Sequence, residues 1–199
     1  MTFTSESRMI LAAIFGRLFE NEFATLDGIA ISCPTPPGLD YVDGTAGLRL
    51  WLDDRVSQAP AVPVDPAAHA IHRACFEVAP DHEVAISGWS RHLRALLLEG
   101  FGPPPVTSML RNRGVTDLSV HLVAPVALTG GALLPTLERA RSMAEQNGMR
   151  HHLVITSEGL VVVSGAPPFE AMAHWHNIEM AARVECLRIE AAALGGTEG

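Results

Sequence analysis

The 199-residue chain contains no lysine: all fourteen of its basic side chains are arginine. Two chemistries are thereby excluded. Schiff-base catalysis, in which a lysine amine attacks a carbonyl or holds pyridoxal phosphate, has no nucleophile. A Walker-type phosphate loop has no lysine to reach the phosphates. Cysteine is scarce too. Cys33, Cys75 and Cys186 are widely spaced, with no CxxC pair, and read as buried thiols in a reducing compartment. Positive charge is in deficit, 14 basic against 22 acidic residues giving −8, which speaks against nucleic acid or an anionic membrane as partner. No apolar run approaches the roughly eighteen residues of a membrane span. The opening MTFTSESRMILAAIF has neither the basic segment nor the cleavage site of a signal peptide. The expectation is a cytoplasmic protein.

Apolar residues are not in short supply. They make up 48% of the chain against 18% charged, enough to bury a core in one domain over 1–199 without disulfides or metals. Ile10, Ile14, Leu18 and Phe19 recur at helical spacing behind Ser5 or Ser7 as cap, predicting a helix to about residue 24. A short strand at 28–32 and a Pro/Gly-rich loop at 34–47 follow, then an alternating strand at 48–52 and a Pro/Ala/Val connector at 60–66. Further along, helices are expected at 67–78, 90–99, 134–146 and 168–193, and strands at 83–87, 118–123, 152–156 and 160–164. Ser157-Glu158-Gly159 turns the last strand pair, and Asn147-Gly148 ends the helix before it.

The stretch from His151 to Glu190 carries an apolar strand, a second strand and a long helix. The stretch from His72 to Ser90 carries a helix, Pro80-Asp81 and the apolar run Val84-Ala-Ile-Ser-Gly-Trp89. Together they resemble the class II aldolase/adducin family over about residues 67–189. The resemblance implies an α/β fold: a three-layer α/β/α sandwich with a central, mainly antiparallel sheet. In that family a His-x-His pair on a strand and a later histidine bind a divalent metal, usually zinc, which polarises a carbonyl and stabilises the enediolate of C–C cleavage. Carried over residue by residue, the His-x-His positions fall on Ser87 and Trp89, the later histidine on Glu158, and the acid/base on Ala68. Neither a serine hydroxyl nor an indole is a ligand zinc favours, and alanine carries no proton. His72, Pro80, Asp81, Gly159, Gly165 and Glu179 keep the framework pattern. Of the anion-binding Gly-Asn-x-Ser motif, only Ser32 in Gly28-Ile-Ala-Ile-Ser32 remains.

Two functions are compatible with this pattern. The first is an aldolase-like domain without zinc or other cofactor that serves as a binding, scaffolding or regulatory subunit. It would form a homo-oligomer, or a hetero-oligomer with an aldolase-like paralogue, because family sites lie between subunits. The second is a divergent lyase with a rebuilt pocket acting on a small oxo- or hydroxy-acid. There Glu158 is the general acid or base, its pKa raised beside Trp89, and Ser87 and His92 orient the substrate. His72, Trp89, Ser90, Arg91 and Ser32 complete the expected pocket, and Arg91 with Arg94 can hold a substrate carboxylate. His69 and His72, at i, i+3 on one helix, can share an ion only if His92 or Glu158 supplies a third ligand. His151 and His152 point to opposite faces of a strand, and His174 and His176 diverge around a helix, so neither pair is a site by spacing.

Overall fold

The computed structural model describes residues 4–20, 28–35, 38–52 and 65–195. The connector expected at 60–66 falls mostly outside the described residues, as does the end of the first helix beyond residue 20. In chain order come α1 (Ser5–Glu20), β1 (Ile29–Thr35), β2 (Gly38–Asp43), α2 (Gly44–Leu52), α3 (Pro66–Val78), β3 (Val84–Trp89), α4 (Arg91–Leu98) and α5 (Ser108–Arg111). They are followed by β4 (Leu122–Val123), α6 (Leu133–Gln146), β5 (His151–Thr156), β6 (Leu160–Gly165) and α7 (Pro168–Gly195), with short 3-10 turns around β4.

The six strands form one mixed sheet in the order β2-β1-β3-β6-β5-β4. Every pairing is antiparallel except β4 with β5. Burial on both faces explains the unbroken Val161-Val162-Val163 run in β6, since a strand covered on two sides has no polar face to alternate with. On one face Ile31, Ile86, Leu153, Ile155, Val161 and Val163 pack with Leu11 and Phe15 of α1, Leu93 of α4, and Trp175 and Ile178 of α7. On the other, Ala85, Val154 and Val162 meet Ile71 and Cys75 of α3 and Leu137 and Ala140 of α6.

Local chemistry sets the element boundaries. Asp65 accepts hydrogen bonds from the Ala67 and Ala68 amides at 2.9 and 3.0 Å, and Pro66 sits in the first turn, so α3 starts on a strong cap. At α1 the cap is Thr4, whose Oγ1 accepts from the Ser7 amide at 3.1 Å, rather than Ser5 or Ser7.

Three expectations are corrected. The 48–52 segment is helical, forming the end of α2. Asp43 caps that helix by accepting from the Ala46 amide at 3.1 Å, and Ala46 and Leu50 then reach the core at i, i+4 spacing. The segment 34–47 is not one loop. It holds the end of β1 and all of β2, whose Leu39–Asp43 pair with residues 30–34. At 118–123 only Leu122–Val123 is strand. Ser119–His121 is a 3-10 turn started by Asp117, which accepts from the Ser119 amide at 2.8 Å, and Pro125 cannot extend the ladder.

On α7 the apolar residues divide. Trp175, Ile178 and Ala181 are buried within their own chain, whereas Val184, Leu187 and Leu194 are exposed. No helix among the described residues is long and apolar enough to cross a membrane.

The β5–β6 turn is tightly seated. Gly159 has φ +90°, and a Cβ there would lie 2.6 Å from the Arg94 Cα. Gly159→Ala therefore combines left-handed strain with a backbone clash, and should cost about 2–4 kcal/mol. A urea midpoint equal to that of the parent would contradict this packing.

Candidate functional site

β1, β3 and α3 bring three of the expected pocket residues into one hydrogen-bonded row. His72 is fully buried on α3. Its Nδ1 lies 2.8 Å from the Ser32 Oγ and its Nε2 2.9 Å from the Ser87 Oγ. Burial, with a smaller contribution from His69, pushes the His72 pKa down to about 3. The ring is therefore neutral at pH 7, with one nitrogen donating to its serine and the other accepting from the opposite hydroxyl. The arrangement uses both nitrogens, so His72 has none left to share an ion with His69.

The small cavity beside this row, about 180 Å³, is lined by Gly28, Ala30, Tyr41, Asp65, Ala68, Ile71, Ser87, Trp89 and Leu160 among others. Ser87, Trp89 and Ala68, three positions that carry chemistry in the resemblance, thus share one cavity. Their own groups are a hydroxyl already engaged with His72, an indole without a lone pair and a methyl. The Asp65 carboxylate caps α3. Burial, aided by Asp65 and Asp43, raises the Tyr41 pKa, so its phenol stays protonated. The residues present do not fit the zinc ion of the family resemblance. Among the described residues no three His, Cys, Asp or Glu side chains are grouped to hold a metal ion.

Glu158 is exposed in the β5–β6 turn and does not line this cavity. Trp89 is half-buried at the rim, with the Arg94 guanidinium 4.9 Å from its ring centroid. Ser90 and His92 belong to a second polar group around Glu179 of α7, which has no exposed surface. The Ser90 hydroxyl donates to Glu179 Oε2. His92 approaches Oε1 with its Nδ1 at 2.5 Å and its amide at 3.3 Å. Ser90 also caps α4 by accepting from the Leu93 amide. Arg91 is exposed at the start of α4. Of the eight expected site residues, then, Ser32, His72, Ser87 and Trp89 gather at or behind the cavity. Ser90 and His92 gather on Glu179, and Arg91 and Glu158 face solvent.

Sequence reasoning missed Tyr41 and Asp65. Tyr41, the sole tyrosine, packs its ring edge-on against His69 at 5.3 Å. Leu39-Asp-Tyr-Val-Asp43 alternates after a glycine and could have been recognised as a strand, and Asp65-Pro66 is a helix-start signal. Cys75, one turn from His72, is buried and its thiol is pushed up to about 12, so no thiolate forms there at neutral pH.

No family model and no curated protein matches the sequence. Solved structures do match the fold. An aldolase II superfamily protein from Pseudomonas syringae is similar with a TM-score of 0.60 at 16% identity, over 94% of this chain and 77% of that one. The l-fuculose-1-phosphate aldolase from Thermus thermophilus is similar with a TM-score of 0.58 at 16% identity, over 96% of both chains. A sugar-phosphate aldolase from Thermotoga maritima gives 0.61 at 14% identity, over 93% and 96%. The chain has the class II aldolase fold.

Proposed function

We propose that this protein is a non-catalytic binding or regulatory subunit built on one class II aldolase-like domain over 1–199, with its layers arranged as an α/β/α sandwich. The observation that carries the reading is the composition of the small cavity. Ser87, Trp89 and Ala68 meet there without an imidazole or a free carboxylate, and Ser87 is bound to a neutral, buried His72. Acid–base chemistry needs a group near its pKa within reach of substrate. The wall offers hydroxyl, phenol and indole groups instead, which suit recognition of a small ligand with few charges. The exposed Val184 and Leu187 on α7 support a contact with a second copy or with an aldolase-like paralogue.

The test combines metal content with turnover. After incubation with zinc and gel filtration, elemental analysis should find well under one zinc per chain, since a hydroxyl and a remote carboxylate leave the ion hydrated. A panel of small oxo- and hydroxy-acids should show no C–C cleavage or decarboxylation. Stoichiometric zinc, or turnover that Ser87→Ala abolishes, would overturn the reading and favour the divergent lyase.

A further inference from the structure

At the opposite end of the β3–β6 ladder from Trp89 and Leu160, where Val84 pairs with Gly165 and Gly165 with His151, lies a much larger cleft of about 900 Å³. Its wall is drawn from α1, the segment after α5, the α6–β5 turn and α7. Arg17, Arg113 and Arg150 line it, together with His151 and His176, and Glu170 is the one acidic side chain among the lining residues. In a chain of net charge −8, three of fourteen arginines on one cleft is a local reversal of sign.

The second observation is independent of the arginines. His151 forms part of the wall, is 3% exposed, and its Nε2 has no hydrogen-bond partner among the described residues. Next to it His174, with no exposed surface, lies 5.7 Å away between ring centroids, and both of its ring nitrogens are likewise without partners among the described residues. Buried polar atoms in native structures are nearly always paired, so the orphaned Nε2 of His151, a wall residue, marks a group awaiting a partner. Burial keeps both rings neutral at pH 7, outweighing the opposing pull of Glu170 on His151, and a neutral imidazole keeps an N–H to donate. The rim is preformed. Gly114, at φ +85°, lets the 113–114 turn approach so closely that a Cβ there would meet the Asn147 oxygen at 2.7 Å.

We propose that this cleft is a binding site for a small oxyanionic ligand, one carrying phosphate or paired carboxylates, with Arg113 and Arg150 supplying charge and His151 a directional hydrogen bond. Guanidinium groups match both anion types in bidentate geometry, and among the described lining residues three arginines face the single carboxylate of Glu170. The site is separate from the Ser87 cavity and does not depend on the function proposed for it.

Calorimetric titration of the full chain at low salt, with pyrophosphate in one arm and citrate in the other, tests the proposal and distinguishes the two sources of the anion. At least one should bind with a Kd on the order of 100 µM or tighter. Arg150→Gln and Arg113→Gln should each weaken it roughly tenfold. His151→Gln, which keeps an amide donor, should weaken it less than His151→Phe. Arg139→Gln removes the same charge from the exposed face of α6, outside the cleft, and should leave binding unchanged. Absence of heat with both anions, or equal weakening by Arg139→Gln and Arg150→Gln, would overturn the proposal, the latter by reducing it to diffuse charge. Because Arg150 is exposed, its variant folds whether or not the His151 variants do.

Discussion

Acidification from pH 7 towards 4 should destabilise the protein steeply. His72 and His174 are buried without exposed surface and have pKa values of about 3, and those of His151 and His152 lie at about 4 and about 3. In every case burial is the first cause. In the unfolded chain each histidine returns to about 6.5. Between the two values the unfolded state binds the extra protons, so stability is full above about pH 6.5 and falls as the pH drops towards the folded values. One such histidine contributes a slope of about 1.4 kcal/mol per pH unit, and His72 with His174 about 3 kcal/mol per unit. Few domains of this size have stability to spare for two units of such a slope. Urea midpoints measured at pH 7.5, 6 and 5 should decline accordingly, and His72→Gln should take up about one proton fewer on unfolding. A midpoint unchanged down to pH 5 would show that the buried rings do not titrate as described.

The second large effect is expected at Glu179. Its carboxylate has no exposed surface and receives the Ser90 hydroxyl and two His92 groups, joining α7 to the start of α4. Glu179→Ala strips the buried Ser90 hydroxyl and two half-buried His92 groups of their acceptor and should cost about 2–4 kcal/mol, below the limit for a fully buried pair because His92 can turn to water. Glu179→Gln keeps the shape and one acceptor oxygen and should cost about 1–2 kcal/mol. Equilibrium unfolding of both variants reads the difference. Equal, small losses would mean that water satisfies Ser90 and His92 without the carboxylate.

Strand and helix positions in the second half of the chain were legible because their signals are local. Val161-Val162-Val163 bounded by glycines and Pro168 at a helix start each act within a few residues. The 48–52 segment shows where that fails. Leu48-Arg-Leu-Trp-Leu alternates well enough for a strand, but the decision belonged to Asp43, five residues upstream, and to the core that Leu50 enters. Ser119–His121 fails similarly, since an edge position beside a proline leaves no ladder to join.

The candidate site divides in the same way. Composition alone removed lysine chemistry, and that needed no coordinates because it concerns which atoms exist. The resemblance implied serine, tryptophan and alanine at the family's ligand and acid/base positions. Which atoms meet was decided by tertiary structure. Ser32, His72 and Ser87 form one row because three elements cross at a single register. His92 turns to Glu179, 87 residues along the chain, and Glu158 stays in water because its turn seats only Gly159 against α4. Two other histidines strongly perturbed by burial carried no spacing motif. His151 and His174 meet only because the tertiary fold brings the start of β5 close to α7, and contacts between residues distant in sequence leave no periodicity to read.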